Sequence, residues 1–479
     1  MQSCENVVVI VVDTARASDA FDSSVMPSLS RLARQGTRYT SAYSSAPWTL
    51  PAHASLFTGT YPTRHGAHGE TLALDPGLET IASTLQRAGY STCGIPNNTW
   101  VSAEFGLARG FETFRRGWQL VQSETDLGAV AHEVGLSGKL RTALPNMIDT
   151  NGVVSLVNLL YRCLGRPWSD KGAQRTTAFA ESWIEQTPSP FFFFINYLEP
   201  HIPYEPPTEL ARAHLPASVS MGEARAIRQD PRAYDVEDYR LSETELAALH
   251  GLYRGELAYV DAQISKIVSA LKRSGAWEET IVVIVGDHGE NIGNHGFLGH
   301  QFNVYDSLLH VPLVFHGGPF DGGTVSELVQ VLDIGPTLLD ALGIEAPAFR
   351  SQQQGLSVHP TVTRTRTHAF AEYIASQPSV ETLEDRYGSV PDRLRSGAGP
   401  LSAIRTPSWK LIDGPEPELY HVETDPAETH NRAGEEPAVQ ERLTDHLAAW
   451  RRSFQSASID QPTEPSAATT ERLVQLGYR

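Results

Sequence analysis

Three long apolar runs, each ending in polar residues, dominate the hydrophobic pattern of the chain; they are NVVVIVVD, FFFFINYLEPH and TIVVIVGDHGE. Short unbroken runs rich in β-branched or aromatic residues are typical of strands buried on both faces of a parallel sheet. Helical periodicity lies between the runs. It predicts helices over Met26–Gly36, Leu78–Gly89, Thr176–Gln186 and Glu243–Leu271, and another strand over Tyr90–Ile95. This alternation predicts an α/β fold with a mostly parallel sheet.

Two segments interrupt this pattern. Trp100–Ala173 is irregular, and Glu209–Tyr239 is charged with little apolar periodicity. We interpret the first as helical cover or an insertion beside a cleft, and the second as a surface loop or lid. The walls that contact a substrate are expected in these two segments, and neither carries a motif that identifies that substrate.

The last quarter of the chain has a different composition. Gln, Ser, Gly and Pro dominate Pro347–Pro360, which indicates a linker. The stretches HAFAEYIA, SAIRTPSWKLI and ELYHVE predict short strands, and Pro437–Phe454 predicts a helix. We therefore expect a catalytic domain at 1–350, a small domain with an antiparallel sheet and a helix at 361–455, and a polar, poorly packed tail at 456–479.

Polar residues follow the predicted strands at their carboxyl ends. Asp13 follows the first run, and Asp287 and His288 follow the third. Ligands of open α/β sheets bind outside the carboxyl ends of the strands. Asp13 alone could equally cap the next turn, but two acidic strand ends bring carboxylates together. Oxygen and imidazole ligands suit a divalent cation, with Zn²⁺ or Mn²⁺ favoured and Mg²⁺ or Ca²⁺ possible.

A threonine stands at the start of another predicted helix, in APWTLPAHASLFTGTYPTRHG from Ala46 to Gly66. Pro51 suits a first helical turn, and Gly59 ends the stretch. Thr49 is either a helix cap or a nucleophile, since helix N-termini stabilise anions such as phosphate or sulfate. Coordination to the predicted metal would lower the pKa of the Thr49 hydroxyl, so Thr49 is also a candidate metal ligand.

Two further histidines lie in loops that follow strands. His201 and His300 are candidates to hold the oxygens of a substrate, to protonate its leaving group or to bind a second metal. His65, His68 and His295 are interpreted as supporting residues or ordinary loop residues.

Composition excludes several classes of partner. The formal charge of −18 argues against a nucleic acid or an anionic membrane. Three cysteines, widely spaced, indicate neither a disulfide framework nor a thiolate metal site. No apolar run approaches the roughly 20 residues of a membrane span, and the run Val7–Val12 is too short for a signal peptide. The expected location is the cytoplasm.

The motifs together resemble a known family. VVDTAR, TLPAHASLFTGTYPTRHG, YLEPHIPY, GDHGENIGNHGFLGH, RTPSWKLI and ELYHVETDPAE are similar, in order, to the motifs of the sulfatase family of the alkaline phosphatase superfamily. The resemblance covers nearly the whole chain. It implies a three-layer α/β sandwich with a mostly parallel central sheet, a small C-terminal α+β domain, a divalent metal and a covalent intermediate.

The sequence departs from that family at the nucleophile. Sulfatases carry Cys or Ser, which becomes formylglycine, followed after one residue by Pro-Ser-Arg; here Thr49 and His53 replace the first and last of these residues. Threonine cannot give that aldehyde. Thr14 stands where many sulfatases have a second metal-binding Asp, and His288 stands where many have Asn. Asp13, Thr49, Asp287 and His288 together resemble the metal set of the superfamily branches that use a threonine nucleophile. The resemblance therefore implies metal ligands Asp13, Thr49, Asp287 and His288, and catalytic residues Thr49, His53, His201 and His300.

The leading hypothesis is a metal-dependent hydrolase that cleaves a small-molecule phosphate mono- or diester through a covalent Thr49 intermediate. One alternative is a sulfatase that works without formylglycine. Another is a transferase that passes a phosphoryl or sulfuryl group to an alcohol. A third is a non-catalytic binding module, which predicts a broken ligand set, although every candidate metal position holds a competent ligand.

Overall fold

A central mixed sheet organises the computed structural model, which describes residues 4–117, 170–363, 365–459 and 462–475. Its eight strands lie in the order β11-β2-β10-β7-β1-β6-β4-β5. In chain order these strands are β1 (Asn6–Val12), β2 (Thr37–Tyr39), β4 (Ser91–Pro96), β5 (Thr113–Phe114), β6 (Phe191–Tyr197), β7 (Thr280–Gly286), β10 (Leu313–His316) and β11 (Gly323–Val325). Short pairs outside this sheet are β3 (Ala42–Tyr43) with β12 (Val329–Gln330), and β8 (Asn291–Ile292) with β9 (Leu298–Gly299).

The middle of the sheet is parallel, as its apolar runs predict. Strand β1 pairs in parallel with both β6 and β7, and Val12 is level with Tyr197 on one side and Gly286 on the other. Strand β4 continues the parallel pairing beyond β6, whereas β10 runs antiparallel to β7. All seven residues of β1 are buried, so both faces of this strand are covered. The register brings Asp13 and Asp287 to the same edge of the sheet.

Helices cover the two faces and complete the predicted three-layer sandwich. The side chains of Val7, Val9 and Val11 pack with the helix Thr49–Thr58 on one face. Those of Val8 and Ile10 pack against the long helix on the other. The helices before and beside the sheet are Ala17–Ala20, Pro27–Gln35, Thr49–Thr58, Pro62–His65, Ile81–Arg87, Ala173–Gln186, Asp306–Leu309 and Ile334–Ala341.

The long helix spans Glu243–Ser274 and begins with a reciprocal cap between Ser242 and Glu245. It ends at Gly275, which has φ of 82°. Its predicted existence is confirmed, and it runs three residues beyond the predicted end at Leu271. The preceding segment, predicted as a loop or lid, instead contains the short helices Thr208–Arg212, Met221–Ala226 and Pro231–Asp235. The loop interpretation is wrong there, because short capped turns need no apolar periodicity. Most of Trp100–Ala173 lies outside the described residues.

A four-stranded antiparallel sheet forms the small C-terminal unit, as predicted. Its strands are β13 (Ala369–Tyr373), β14 (Leu401–Arg405), β15 (Lys410–Asp413) and β16 (Glu418–Tyr420). The helices of this half are Pro347–Gln352, Val380–Tyr387, Asp392–Ala398, Pro437–Arg451 and Ala467–Gln475. Leu443 and Leu447 of the helix Pro437–Arg451 pack on Ile404 and Leu411 of the sheet.

Two expectations about connecting segments are wrong. The predicted linker contains the helix Pro347–Gln352, whose Phe349 is fully buried in the main core. The described part of the tail, predicted to be poorly packed, lies against the catalytic domain: Ala457 N donates to Thr63 O at 2.9 Å, and Leu473 is fully buried. The polar composition of both segments did not predict these contacts, because single apolar residues and backbone hydrogen bonds make them.

Across the described ranges, no helix combines the length and the apolar character that a membrane crossing requires.

Candidate active site

The helix Thr49–Thr58, hereafter the Thr49 helix, positions the predicted nucleophile. All ten of its residues are buried, and it ends at Gly59, whose φ of 68° suits glycine. The cap interpretation of Thr49 is wrong. Trp48 occupies the cap position and no side-chain cap is formed, so Thr49 is the first helical residue. Its hydroxyl is therefore available for contacts outside the helix.

The Thr49 hydroxyl faces groups from two other elements. Thr49 Oγ1 lies 3.3 Å from His288 Nε2 and accepts a hydrogen bond of 3.1 Å from Asn98 Nδ2. The same Asn98 amide donates to Asp13 Oδ2 at 2.7 Å. The Thr49 hydroxyl is thus held at the carboxyl edge of the sheet, beside the groups that follow β1, β4 and β7.

Asp13 and Asp287 each present one buried oxygen toward the same space. Asp287 Oδ1 accepts from the backbone N–H groups of Thr14 at 3.2 Å and His288 at 2.9 Å. Asp13 Oδ1, Asp287 Oδ2 and Thr14 Oγ1 have no hydrogen-bond partner among the described residues. Buried polar atoms are nearly always paired, and Asp13 and Asp287 lie in one cluster, so their two unpaired oxygens fit a bound cation.

His288 completes this group. Its Nδ1 must donate to Gly289 O at 2.9 Å, because a carbonyl only accepts, and so its Nε2 carries a lone pair. That nitrogen lies 3.8 Å from Asp13 Oδ1 and 3.5 Å from Asp287 Oδ2. One ligand atom from each of these three residues lies within 4.8 Å of the others. The donor set fits a divalent cation with oxygen and nitrogen ligands.

The pKa values of these groups show how unfavourable their charged forms are when no cation is bound. Burial, together with the neighbouring Asp287 charge, raises the pKa of Asp13 well above its usual value. Burial raises the pKa of Asp287 to about 8. Burial lowers the pKa of His288, which keeps its imidazole neutral. A bound cation would offset the repulsion between the two carboxylates and favour their ionised forms.

His201 and His300 lie side by side on the same edge. Their ring centroids are 5.0 Å apart, and the His300 ring lies 4.6 Å from the His288 ring. His201 Nδ1 donates to Ile202 O at 2.6 Å, and His300 Nδ1 donates to Glu290 Oε1 at 2.8 Å. Each ring is therefore oriented through Nδ1. Burial lowers the pKa of His201 to about 3.

His53 has a different environment from the other predicted catalytic residues. Its Nδ1 donates to Thr49 O at 2.9 Å, one helical turn back, and lies 3.4 Å from Asp287 Oδ2. The ring packs edge-on against Phe194, with centroids 5.9 Å apart. Burial lowers the pKa of His53 to about 3. This position beneath the acidic pair fits a supporting role more directly than contact with substrate.

Sequence reasoning missed Asn98 and Glu290. Asn98 follows β4, and its backbone N–H donates to Asn196 Oδ1 at 3.0 Å, which turns its amide toward Thr49. Glu290 is fully buried and orients His300. The signal for Asn98 was its place after a predicted strand, the same signal that identified Asp13 and Asp287. Of the other histidines, His65 Nε2 bonds Ser55 Oγ at 3.0 Å and supports the Thr49 helix.

Comparisons with known proteins agree with the resemblance seen in the motifs. The model of the sulfatase family matches residues 5–344, and a model named for the C-terminal part of N-sulphoglucosamine sulphohydrolase matches residues 293–453. Among curated proteins, the choline-sulfatase of Rhizobium meliloti is 24% identical over 451 residues, which cover 89% of this chain and 82% of that protein. An uncharacterised sulfatase of Escherichia coli, YidJ, is 26% identical over 443 residues, 89% of this chain and 82% of that protein.

Solved structures agree with the observed fold. The phosphonate monoester hydrolase of Agrobacterium radiobacter superposes with a TM-score of 0.69 at 23% identity, over 94% of this chain and 95% of that chain. A protein solved with its substrate D-glucosamine-2-N,6-O-disulfate superposes with a TM-score of 0.64 at 19% identity, over 97% of this chain and all of that one. Both phosphorus and sulfur chemistry therefore occur on this fold.

Proposed function

Because the chain belongs to the sulfatase family of hydrolases, we propose that it cleaves a small-molecule phosphate mono- or diester with Thr49 as the nucleophile. The observation that carries this proposal is the position of Thr49 Oγ1. It lies at the start of a buried helix, 3.3 Å from His288 Nε2, beside two carboxylates that each keep an unpaired oxygen. A capping threonine would have turned this hydroxyl toward its own helix.

The donor set supports a metal held by Asp13, Thr49, Asp287 and His288, with Zn²⁺ or Mn²⁺ favoured by the imidazole nitrogen. When bound, the cation would lower the pKa of the threonine hydroxyl and offset charge on the substrate oxygens. Asp13 and Asp287 would bind in their ionised forms. Asn98 would hold Thr49 Oγ1 in line through its amide, and His53 would keep the first turn of the helix in place through Thr49 O.

The proposed reaction has two steps, and these groups, the substrate and water account for every bond and proton in them. Thr49 Oγ1 forms a bond to phosphorus while the bond from phosphorus to the leaving oxygen breaks, and the proton lost by Thr49 is matched by one gained at that oxygen. His201 and His300, whose rings donate through Nδ1, could each accept the proton lost by Thr49 and pass it to the leaving oxygen. Water then attacks the phosphorus of the Thr49 ester, its proton returns to Thr49 Oγ1, and phosphate leaves.

Phosphorus is favoured over sulfur because Thr49 cannot become formylglycine. A formylglycine hydrate can expel its sulfate by elimination through the second hydroxyl, whereas a threonine ester needs attack by water. Phosphonate monoester hydrolases occur among the solved structures of this fold, so the fold is compatible with phosphorus as the reacting centre.

The test compares p-nitrophenyl phosphate, bis-p-nitrophenyl phosphate and p-nitrophenyl sulfate on chelated protein reloaded with Zn²⁺, Mn²⁺, Mg²⁺ or Ca²⁺. We expect metal-dependent turnover of a phosphate ester and a loss of at least ~10³-fold in kcat for Thr49→Ala. Thr49→Ser keeps a hydroxyl and is expected to retain part of the activity. Addition of an alcohol, with analysis of products, separates hydrolysis from transfer.

Two outcomes would overturn the proposal. Sulfate turnover that survives Thr49→Ala requires another nucleophile or an activated water. A complete absence of turnover, together with unchanged metal binding in Thr49→Ala, would favour the non-catalytic binding module.

A further inference from the structure

A buried lysine holds the backbone of the loop that carries His201. Lys171 Nζ donates to His201 O and, at 3.1 Å, to Glu256 Oε1. The backbone N–H of Lys171 donates to Glu199 Oε1 at 2.8 Å. One residue thus contacts the loop both before and at the histidine. Its side chain is 13% exposed, so this ammonium is largely removed from water.

Glu256 extends the same network from the middle of the long helix. It is fully buried, and its Oε1 accepts from Glu205 N at 2.7 Å as well as from Lys171. The loop from Glu199 to Glu205 is therefore held at its beginning, at His201 and at its end. A buried acid is costly, and the pairing of Glu256 with Lys171 offsets part of that cost.

The loop backbone sets the direction of the His201 ring. His201 Nδ1 donates to Ile202 O, the carbonyl of the next residue in the same loop. The ring is therefore oriented by the loop itself, and its Nε2 direction follows the position of the backbone. A group that fixes His201 O consequently fixes how the His201 ring lies against the His300 ring.

We propose that Lys171 is a positioning residue that acts through His201, with Glu256 as the counterion that keeps its ammonium in place. The inference rests on the proposed function, because His201 needs a reaction in which to act. It predicts that the contribution of Lys171 to the transition state disappears when His201 is absent. A lysine that served stability alone would make the same contribution with or without His201.

The experiment is a double-mutant cycle on the full chain with the phosphate ester that turns over fastest. Lys171→Met removes the charge and keeps the length; it is measured alone and in the His201→Ala background. We expect a loss of about 10-fold to 100-fold in kcat with a small change in KM for the single variant, and nearly no further loss in the double variant. Lys171→Arg should restore part of kcat.

Lys272→Met is the matched control. Lys272 lies over the Trp277 ring at 4.9 Å, beside the amino end of β7 and so at the opposite edge of the sheet from the site. It should change neither kcat nor KM. Losses that add in the double variant, or an unchanged kcat in Lys171→Met, would overturn the proposal. Thr49→Ala separates failure of this proposal from failure of the proposed function. If Thr49→Ala remains active, the proposed function is wrong. If Thr49→Ala is inactive and the losses of Lys171→Met and His201→Ala add, only the Lys171 inference is wrong.

Two further measurements test the proposal if a variant does not fold or shows no turnover of substrate. Glu256→Gln keeps an acceptor for Glu205 N but removes the counterion, and it should lower kcat in the same direction by a smaller factor. Histidine-selective ¹⁵N NMR needs no turnover. Lys171→Met should shift the His201 ring signals, assigned by their loss in His201→Gln, and leave those of His65 unchanged. Unshifted His201 signals would contradict the proposal.

Discussion

Two groups of acidic side chains, both largely removed from water, differ in whether cations of the chain are paired with their carboxylates. At the edge of the main sheet, Asp13 and Asp287 each keep an oxygen without a hydrogen-bond partner among the described residues. Between the catalytic unit and the C-terminal sheet, Asp306 is paired with two cations of the chain. Lys410 Nζ lies 2.7 Å from Asp306 Oδ1, and Arg405 Nε lies 3.2 Å from Asp306 Oδ2.

The pKa values of these acids move in opposite directions. Burial raises the pKa of Asp287 to about 8. The Asp306 side chain is 12% exposed, and the Lys410 and Arg405 charges more than offset its desolvation and lower its pKa to about 2. Burial alone therefore does not decide the state of an acid in this protein. A single cation does not decide it either, because Glu428, 2.6 Å from the same Lys410, has a pKa that burial raises to about 7.

This difference separates a stability element from a functional one. The Asp306 group is complete and joins the helix Asp306–Leu309 to β14 and β15. The Asp13 group is incomplete, and either a bound proton or a bound cation relieves the repulsion between its two carboxylates. Three substitutions test this contrast.

The largest effect is expected for Asp287→Asn. The amide oxygen can still accept from Thr14 N and His288 N, so the local fold is preserved while one anionic ligand is lost. Metal-dependent kcat should fall by roughly 10³-fold or more. In the metal-free protein the same change should stabilise the fold, by about 1 kcal/mol near neutral pH, because it removes a buried acid beside Asp13.

The raised pKa of Asp287 sets the direction in which its contribution to the stability of the metal-free protein changes with pH. Because the folded pKa of Asp287 is about 8 and the ordinary value is about 4, the folded state holds a proton that the unfolded chain releases. This contribution to stability is complete below about pH 4 and is lost as the pH rises toward about 8. Buried histidines such as His53 and His201, whose pKa values are lowered to about 3, titrate with the opposite sign, so the test is the difference between two chelated proteins. In urea unfolding from pH 5 to 8, the wild type should lose stability relative to Asp287→Asn as the pH rises. A difference that stays constant over this range would contradict the assignment.

The next largest effect is expected for Lys410→Met, which breaks the complete group. Lys410 is fully buried and also lies 2.6 Å from Glu428 Oε1, so its removal leaves two acids without their main cation. Stability should fall by about 3–5 kcal/mol. Turnover per folded molecule should change little, since the group lies outside the Thr49 site.

Urea unfolding measures this loss, and active-site titration corrects turnover for the folded fraction. Lys266→Met is the control. Within the described ranges Lys266 has one hydrogen bond, to Gln263 Oε1 at 3.1 Å on its own helix, so its loss should cost less than about 1 kcal/mol. A stability loss in Lys410→Met as small as that of the control would remove the distinction between the two acid groups.

The sequence predicted much of the sheet and the acidic edge for one physical reason. Parallel strands that are buried on both faces need continuous apolar runs, and their carboxyl ends meet at one edge. Asp13, Asp287 and His288 each follow such a run, so their meeting could be expected before any coordinates. The Thr49 helix was also predicted. Whether Thr49 is its cap or a nucleophile depended on whether the helix begins at Thr49 or one residue later.

Residues that act through distant contacts were missed. Asn98 bonds Thr49 across 49 positions, and Lys171 reaches Glu256 across 85. No local periodicity marks such pairs, because the contact exists only after β4, β6 and the long helix have packed. The resemblance to a known family did not supply them either, since it was read from motifs that do not contain Asn98 or Lys171. Long-range polar pairing is thus the part of the site that the sequence alone leaves open.

The smallest effect is expected for Asn98→Ala, which tests how much of the acidic edge is organised by the chain itself. The change removes the one amide that donates both to Asp13 Oδ2 and to Thr49 Oγ1. We expect kcat to fall by about 10-fold to 100-fold, with metal affinity reduced less than in Asp287→Asn, because every proposed metal ligand remains. Asn97→Ala is the matched control: Asn97 lies on the same turn, but its Oδ1 accepts from Thr176 Oγ1 at 2.7 Å, away from Thr49. It should lower stability without lowering kcat. Equal kcat losses in the two variants would mean that the turn after β4 acts as a whole, and that the Asn98 amide has no separate part in holding the nucleophile.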